Sequence, residues 1–311
     1  MSEIELVCAE LGPALDLLRG SGFRLDVIYP ADDPHTAILA KDGATIRLTS
    51  QPEVSDLPSE LPPFRSELLI SQGGGQSGEG RAGMLYRDLI PGRLGGRYIA
   101  SHITIPDAGE VSDWVHYHRI ALQLIYVREG WVRVVYEDQG EPFVMKKGDL
   151  VLQPPEIRHR VLESSGGLEV IEVGCPAVHA TYADHDMTLP NGSIDHSRKF
   201  EGQRFLRHIA SDTAWTPFLT GEAQETGIHE ATAGIAQVRT IRSAGSDLAF
   251  PPHTGELVFG FVLEGSGRLD CRGSHQLNRS DSFAIPPSER WSICEPSNDF
   301  RLLHVVTAGL D

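Results

Sequence analysis

Apolar residues along most of this chain fall in short runs of four to eight, alternating with polar residues or nearly continuous, and broken by Gly, Pro or Asp. That rhythm predicts strands joined by tight turns. Tyr98–Pro106, Leu122–Glu129, Val132–Glu137, Asp149–Gln153 and Leu168–Val173 read as successive strands, and strand-like segments resume from Ile235. A helical rhythm is confined to the stretch GPALDLLRG, Gly12–Gly20. Around it, Glu3–Leu11, Arg24–Tyr29, Thr36–Ala40 and Ala44–Leu48 read as strands, with turn signals at Asp32-Asp33-Pro34 and Asp42-Gly43. The chain therefore divides into a small βαβββ module (residues 1–50), a linker and mobile segment (51–95), a β-unit (96–178), an irregular connector (179–234) and a second β-unit (235–311). Within the second segment, Gln51–Pro63 is rich in proline, serine and acid, and GGGQSGEG (Gly73–Gly80) reads as a flexible loop.

The two β-units are copies of one another. A constant offset relates His118 to His253, Val127 to Val262, Glu129 to Glu264 and Gly130 to Gly265. An offset three residues shorter relates Asp149 to Asp281, Pro154-Pro155 to Pro286-Pro287, Arg158 to Arg290 and Glu163 to Glu295. A three-residue deletion in the intervening hairpin accounts for the change, and so many ordered matches mark a duplication.

Composition adds limits. The 32 glycines and 20 prolines suit a turn-rich β architecture. With 43 acidic against 27 basic residues the formal net charge is −16, which repels phosphate backbones and anionic membranes, so neither nucleic acid nor a membrane is an expected partner. Cys8, Cys175, Cys271 and Cys294 are isolated, with no C-x-x-C pair, as in reduced intracellular proteins. Glu3, Glu5 and Glu10 stand where a secretory leader needs basic residues, and no apolar run approaches membrane-spanning length. A cytoplasmic protein is expected.

Candidate chemistry sits in the first copy. In His116-Tyr117-His118 the outer two residues share one face of a strand, so both imidazoles enter the same interior. Six residues separate Gly109 from His116; Gln123 follows His118 after four residues, and Gly130 follows after six more. A second block runs Gly148, five residues, Pro154-Pro155-Glu156, two residues, His159, three residues, Glu163. These blocks resemble the two motifs of the cupin superfamily, G-x5-H-x-H-x3-4-E-x6-G and G-x5-P-x-G-x2-H-x3-N, over roughly residues 96–308. The resemblance implies a mainly β fold of two jelly-roll barrels preceded by the small α+β module. It also implies a metal site on His116, His118 and His159. Where the family has glutamate this chain has Gln123, which either ligates weakly or hydrogen-bonds a bound water or ligand. By analogy with three-histidine cupins the divalent metal is Fe(II), with Ni, Mn, Cu, Co or Zn open. In the second copy the counterparts of His116, His118, Gln123 and His159 are Pro251, His253, Val258 and Trp291. That copy is therefore expected to be degenerate, with Trp291 filling the metal's place.

Further pocket candidates are His102 or Arg97, of which at most one faces inward, and Arg119, Arg133 and Arg158, which can neutralise a bound carboxylate or enolate. Gln123, Arg133 and His102 are taken as the catalytic set beside the ligands. His185, His196, His208 and His229 of the connector are expected at the surface. The first 50 residues are similar to one module of the vicinal-oxygen-chelate (glyoxalase-like) superfamily, read as an accessory unit because its first strand lacks histidine. The arrangement of one three-histidine barrel followed by a degenerate one resembles the gentisate dioxygenase group. It implies a dioxygenase acting on a small oxygenated substrate, such as a phenolic acid or diketone, with dioxygen as co-substrate. A redox-inert isomerase or lyase, or a ligand-binding bicupin without turnover, are the alternatives. A homodimer is expected.

Overall fold

The structure, a computed structural model, describes residues 3–54, 56–80, 83–243 and 245–310. The N-terminal module has the predicted element order: β1 (Glu3–Val7), α1 (Leu11–Gly20), β2 (Arg24–Tyr29), β3 (Thr36–Lys41) and β4 (Ala44–Thr49). Its sheet runs β1-β4-β3-β2, with β1 parallel to β4. The apolar stripe of α1 (Leu11, Ala14, Leu15, Leu18) packs on Leu25, Leu39 and Leu48, which is the burial its periodicity demands.

Residues 51–95 do more than link. They carry β5 (Leu69–Ser71), β6 (Gly78–Glu79) and β7 (Leu85–Asp88). The glycines of Gly73–Gly80 allow close contact as well as turning. A Cβ on Gly73 would lie 2.7 Å from Ser280, and one on Gly80 would lie 2.6 Å from the Tyr86 ring.

The first barrel comprises β8 (Ile99–Ile105), β9 (Gly109–Glu110), β10 (His116–His118), β11 (Leu122–Glu129), β12 (Trp131–Tyr136), β13 (Phe143–Lys146), β14 (Leu150–Leu152), β15 (His159–Ser164), β16 (Leu168–Cys175) and β17 (Thr181–Ala183). One sheet orders β17-β10-β15-β12-β13 and the other β14-β11-β16-β8-β7-β6. Strand alternation sorts the side chains. On β11, Gln123 and Ile125 line the interior, whereas Leu122, Leu124 and Tyr126 join Phe259, Phe261 and Leu303 in the core between the barrels. Both faces are covered, which is why β11 reads as a nearly continuous apolar run.

The second barrel repeats this plan with Ala236–Arg242, Val258–Glu264, Ser266–Asp270, Ser282–Ile285, Trp291–Cys294 and Arg301–Thr307 among its strands. The duplication reaches individual turns. Gly130 and Gly265 both have positive φ (79° and 75°), and at each a Cβ would sit 2.3 Å from a serine Oγ, of Ser165 or Ser297. Those hydroxyls accept the backbone N–H of Trp131 and Ser266, each at 2.9 Å. Only glycine fits there.

Each barrel also takes a strand from chain that precedes the other's repeat unit. β5 pairs with Ser282–Ile285 of the second barrel, and Leu206–His208 pairs with β14 of the first. Matched aspartates hold these borrowed segments: Asp281 Oδ1 accepts from Gly73 N at 2.6 Å, and Asp149 Oδ1 from Ala210 N at 3.0 Å. Strands within 51–95 and 179–234 thus belong to the barrel sheets. Among the described residues no helix is long and apolar enough to cross a membrane, and all four cysteines are free.

Candidate metal centre

Alternation on β10 turns His116 and His118 into the first barrel. His159 begins β15 directly opposite His116. The ring centroids lie 5.3 Å (His116–His118), 4.2 Å (His116–His159) and 5.3 Å (His118–His159) apart. One ligand nitrogen from each falls within 4.8 Å of the others, and all three residues are buried. Among the described residues this is the only cluster of three or more His, Cys, Asp or Glu groups so disposed.

Neighbours fix the rings. His116 Nδ1 lies 2.7 Å from the Trp114 carbonyl and His159 Nδ1 lies 3.0 Å from the Ile157 carbonyl. A carbonyl only accepts, so both Nδ1 atoms carry hydrogen and the neutral ring keeps its lone pair on Nε2. The Asp113 carboxylate adds a contact of 3.4 Å to His116 Nδ1 while accepting from Val161 N at 2.9 Å. Thr181 Oγ1 is 3.5 Å from His118 Nδ1, and Tyr136 stacks on His159 at 5.5 Å. Carbonyl- and carboxylate-oriented imidazoles are the usual surroundings of a metal-ligating set. Three buried neutral nitrogen donors fit a divalent transition ion.

The N-terminal module abuts this site. β2 pairs with β17, and β17 pairs with β10, so the module's sheet runs into the histidine sheet as one ten-stranded assembly. Trp114, whose carbonyl orients His116, packs against the module's core. The module supplies a wall, with Ala31 reaching the cavity.

The cavity over the histidines has a volume of about 110 Å³ and mainly apolar walls, including Ile103, Ile125, Val134 and Val170. Its polar groups include three that sequence reasoning missed. Glu172, buried on β16, accepts a hydrogen bond of 2.6 Å from Gln123 Nε2. Gln153, just after β14, is buried and its Nε2 has no hydrogen-bond partner. His179 stands edge-on to His118 at 5.4 Å, with Nδ1 3.1 Å from the Pro176 carbonyl. For Glu172 a signal existed: one carboxylate in the alternating series Leu168, Val170, Glu172. Gln153 and His179 belong to no motif quoted above.

Other expectations need correction. His102 faces away from the cavity, toward the second barrel. Its Nε2 bonds Glu169 Oε2 at 2.8 Å, and its ring meets Phe261 edge-on at 6.0 Å. That hydrogen bond, with the Arg128 guanidinium, holds the Glu169 carboxyl down at about 2. Arg97 also faces the barrel interface, where it pairs with Glu256 at 2.9 Å. Arg133 is a half-exposed ion pair with Glu163 at 3.2 Å on the outer face of β12. Arg119 pairs with Glu156, and Arg158 with Asp184. Of the assigned catalytic set, Gln123 alone lines the cavity. His208 is buried, not superficial.

In the second barrel Phe250, rather than Pro251, occupies the place of His116, because it stands opposite Trp291 as His116 stands opposite His159. Phe250 and Trp291 stack at 3.8 Å, and Trp291 meets Phe283 at 5.5 Å. His253 bonds the Ile285 carbonyl at 3.1 Å, outside any histidine cluster.

Comparison with known proteins agrees with this architecture. Residues 102–174 match the family described as "Cupin domain"; the match does not extend to residues 1–50, whose glyoxalase-like resemblance gains no support. No curated protein matches the chain. Among solved structures, it is similar to a salicylate 1,2-dioxygenase from Pseudaminobacter salicylatoxidans, with 18% identity, a TM-score of 0.58 and coverage of 83% of this chain and 90% of that one. It is also similar to protein Ylba from E. coli (10% identity, TM-score 0.56, coverage 80% and 94%). A third is an oxalate decarboxylase from Lactobacillus farciminis (12% identity, TM-score 0.53, coverage 82% and 88%).

Proposed function

From the premise that this chain is a two-barrel cupin, we propose that it is a metal-dependent enzyme of the dioxygenase type, working on a small oxygenated organic molecule such as a diketone or phenolic acid. His116, His118 and His159 are its metal ligands and Fe(II) its metal. The observation that carries this reading is the convergence of three buried imidazoles within 4.8 Å at the floor of an apolar cavity. A bound divalent ion supplies Lewis acidity there and, as iron, redox chemistry with dioxygen.

The chain's own residues do the rest. The Trp114 and Ile157 carbonyls hold two of the rings in one tautomer. Ile103, Ile125, Val134 and Val170 keep water from the substrate, which strengthens each polar contact in the cavity. Glu172 fixes the Gln123 amide. The fold shared with a salicylate 1,2-dioxygenase supports the oxidative reading. A second reading, a redox-inert isomerase or lyase, is favoured by Glu172, a carboxylate placed to take a proton from an enolisable substrate.

Metal analysis of protein purified without chelators, joined to oxygen-uptake screening with phenolic acids and β-diketones, tests the proposal. About one ion per chain and oxygen consumption are expected, and His118→Ala should abolish both. Retention of metal and activity by that variant would overturn the assignment. Turnover without oxygen in the zinc-loaded protein would select the isomerase or lyase.

A further inference from the structure

The cavity holds a polar group that the architecture leaves unused. Gln153 follows β14, opposite Gln123 on β11, with its backbone N–H donating to the Gln123 carbonyl at 2.9 Å. Its side chain is 3% exposed, it lines the cavity, and its Nε2 has no acceptor among the described residues. An orphan buried donor destabilises a fold, and such groups persist where a ligand satisfies them. In the second barrel the matched position is Ile285, buried among apolar side chains. An apolar residue thus serves packing at this place, and the glutamine is specific to the barrel with a cavity.

Charge around the cavity narrows what the amide can meet. The lining contains one carboxylate, the buried Glu172, and one cation, Arg160, which is exposed to solvent. The three ligand imidazoles bind an ion through a neutral ring and so add no charge. A divalent ion at their focus would face two buried carboxyl groups, Glu172 on the wall and Asp113 3.4 Å behind His116 Nδ1, so the site favours a ligand that is neutral or carries one negative charge. A dianion meets Glu172 at short range in a poorly screened site.

We propose that Gln153 is the substrate-reading residue of this site. Its side-chain amide donates to an acceptor oxygen of a small molecule that is uncharged in solution or carries one negative charge when bound, and Glu172 excludes dianions. Enolisable carbonyl compounds belong to this class. Dicarboxylates such as oxalate do not, although a decarboxylase of oxalate shares the fold. The inference rests on the metal reading above, so its test measures metal content separately.

The test uses the full-length protein loaded with Zn(II), which permits binding without oxidative turnover, and pentane-2,4-dione and oxalate as probes in calorimetric titration. Wild type should bind the dione at least tenfold more tightly than oxalate. Gln153→Met keeps the side chain's length and removes its polar atoms. It should leave zinc content unchanged, weaken dione binding at least tenfold, and raise the ligand-free Tm by about 2 °C or more because the orphan donor is gone. Glu172→Gln should tighten oxalate binding at least tenfold. The proposal falls if Gln153→Met binds the dione within twofold of wild type or melts below it. It falls equally if wild type does not bind the dione or binds oxalate as tightly, or if Glu172→Gln leaves oxalate binding unchanged. A wild-type protein that takes up no metal defeats the metal reading instead.

Discussion

In the first barrel His116 faces His159 across a strand pair; in the second, Phe250 faces Trp291. The contrast continues around the interior. Gln123 becomes Val258, Gln153 becomes Ile285, and Glu172, opposite Ile125, becomes His304, opposite Gly260. The turns and registers are shared, down to the glycine–serine contacts at Gly130 and Gly265. Backbone geometry alone therefore does not make a metal site. One barrel spends its interior on oriented polar groups and keeps a cavity; the other closes the space with stacked rings.

The comparison can be broken first at the stack. Trp291→Ala removes a ring that touches Phe250, Phe283 and His304. A destabilisation of about 3–5 kcal/mol is expected in urea unfolding, with the metal content of the first barrel unchanged. A loss of metal together with stability would show that the second barrel supports the histidines directly.

His304 sharpens it. Burial pushes this imidazole down to about 3 from an ordinary value of 6.5, so the folded protein holds it neutral while the unfolded chain protonates it. The unfolded state binds more protons between those values, and stability must fall as the pH drops below about 6.5. The expected slope is up to about 1.4 kcal/mol per pH unit. His304→Leu should flatten the pH dependence of the unfolding free energy between pH 6.5 and 4.5; an unchanged slope would place the acid sensitivity elsewhere.

The smallest effect belongs to Arg133. Its half-exposed pair with Glu163 contributes little, and Arg133→Ala should change stability by less than about 0.5 kcal/mol and leave metal content intact. A loss of metal would return this arginine to the site.

Much of this was legible beforehand. Alternation at His116-Tyr117-His118 specified a shared face, the second motif located His159, and the repeat located the aromatic replacement at Trp291. What failed was the assignment of faces on strands covered on both sides. His102 is largely buried, as a pocket residue would be, yet the surface it buries is the seam between barrels, and nothing local in β8 distinguishes the two. Gln153 and Glu172 escaped because each is a single polar residue on an apolar face, meaningful only once the neighbouring strands are in place. Pro251 was matched to His116 by a fixed offset, whereas strand pairing puts Phe250 there.

The exchanged strands carry a consequence for how the chain comes together. During synthesis, the sheet containing β14 lacks its neighbour until residues 206–208 emerge, while β5 is made early and waits for residues 282–285. Each half is thus a template for the other, and a fragment cut between the repeats would present raw sheet edges to its surroundings. Duplication here has left two copies that share strands and one core and no longer stand apart.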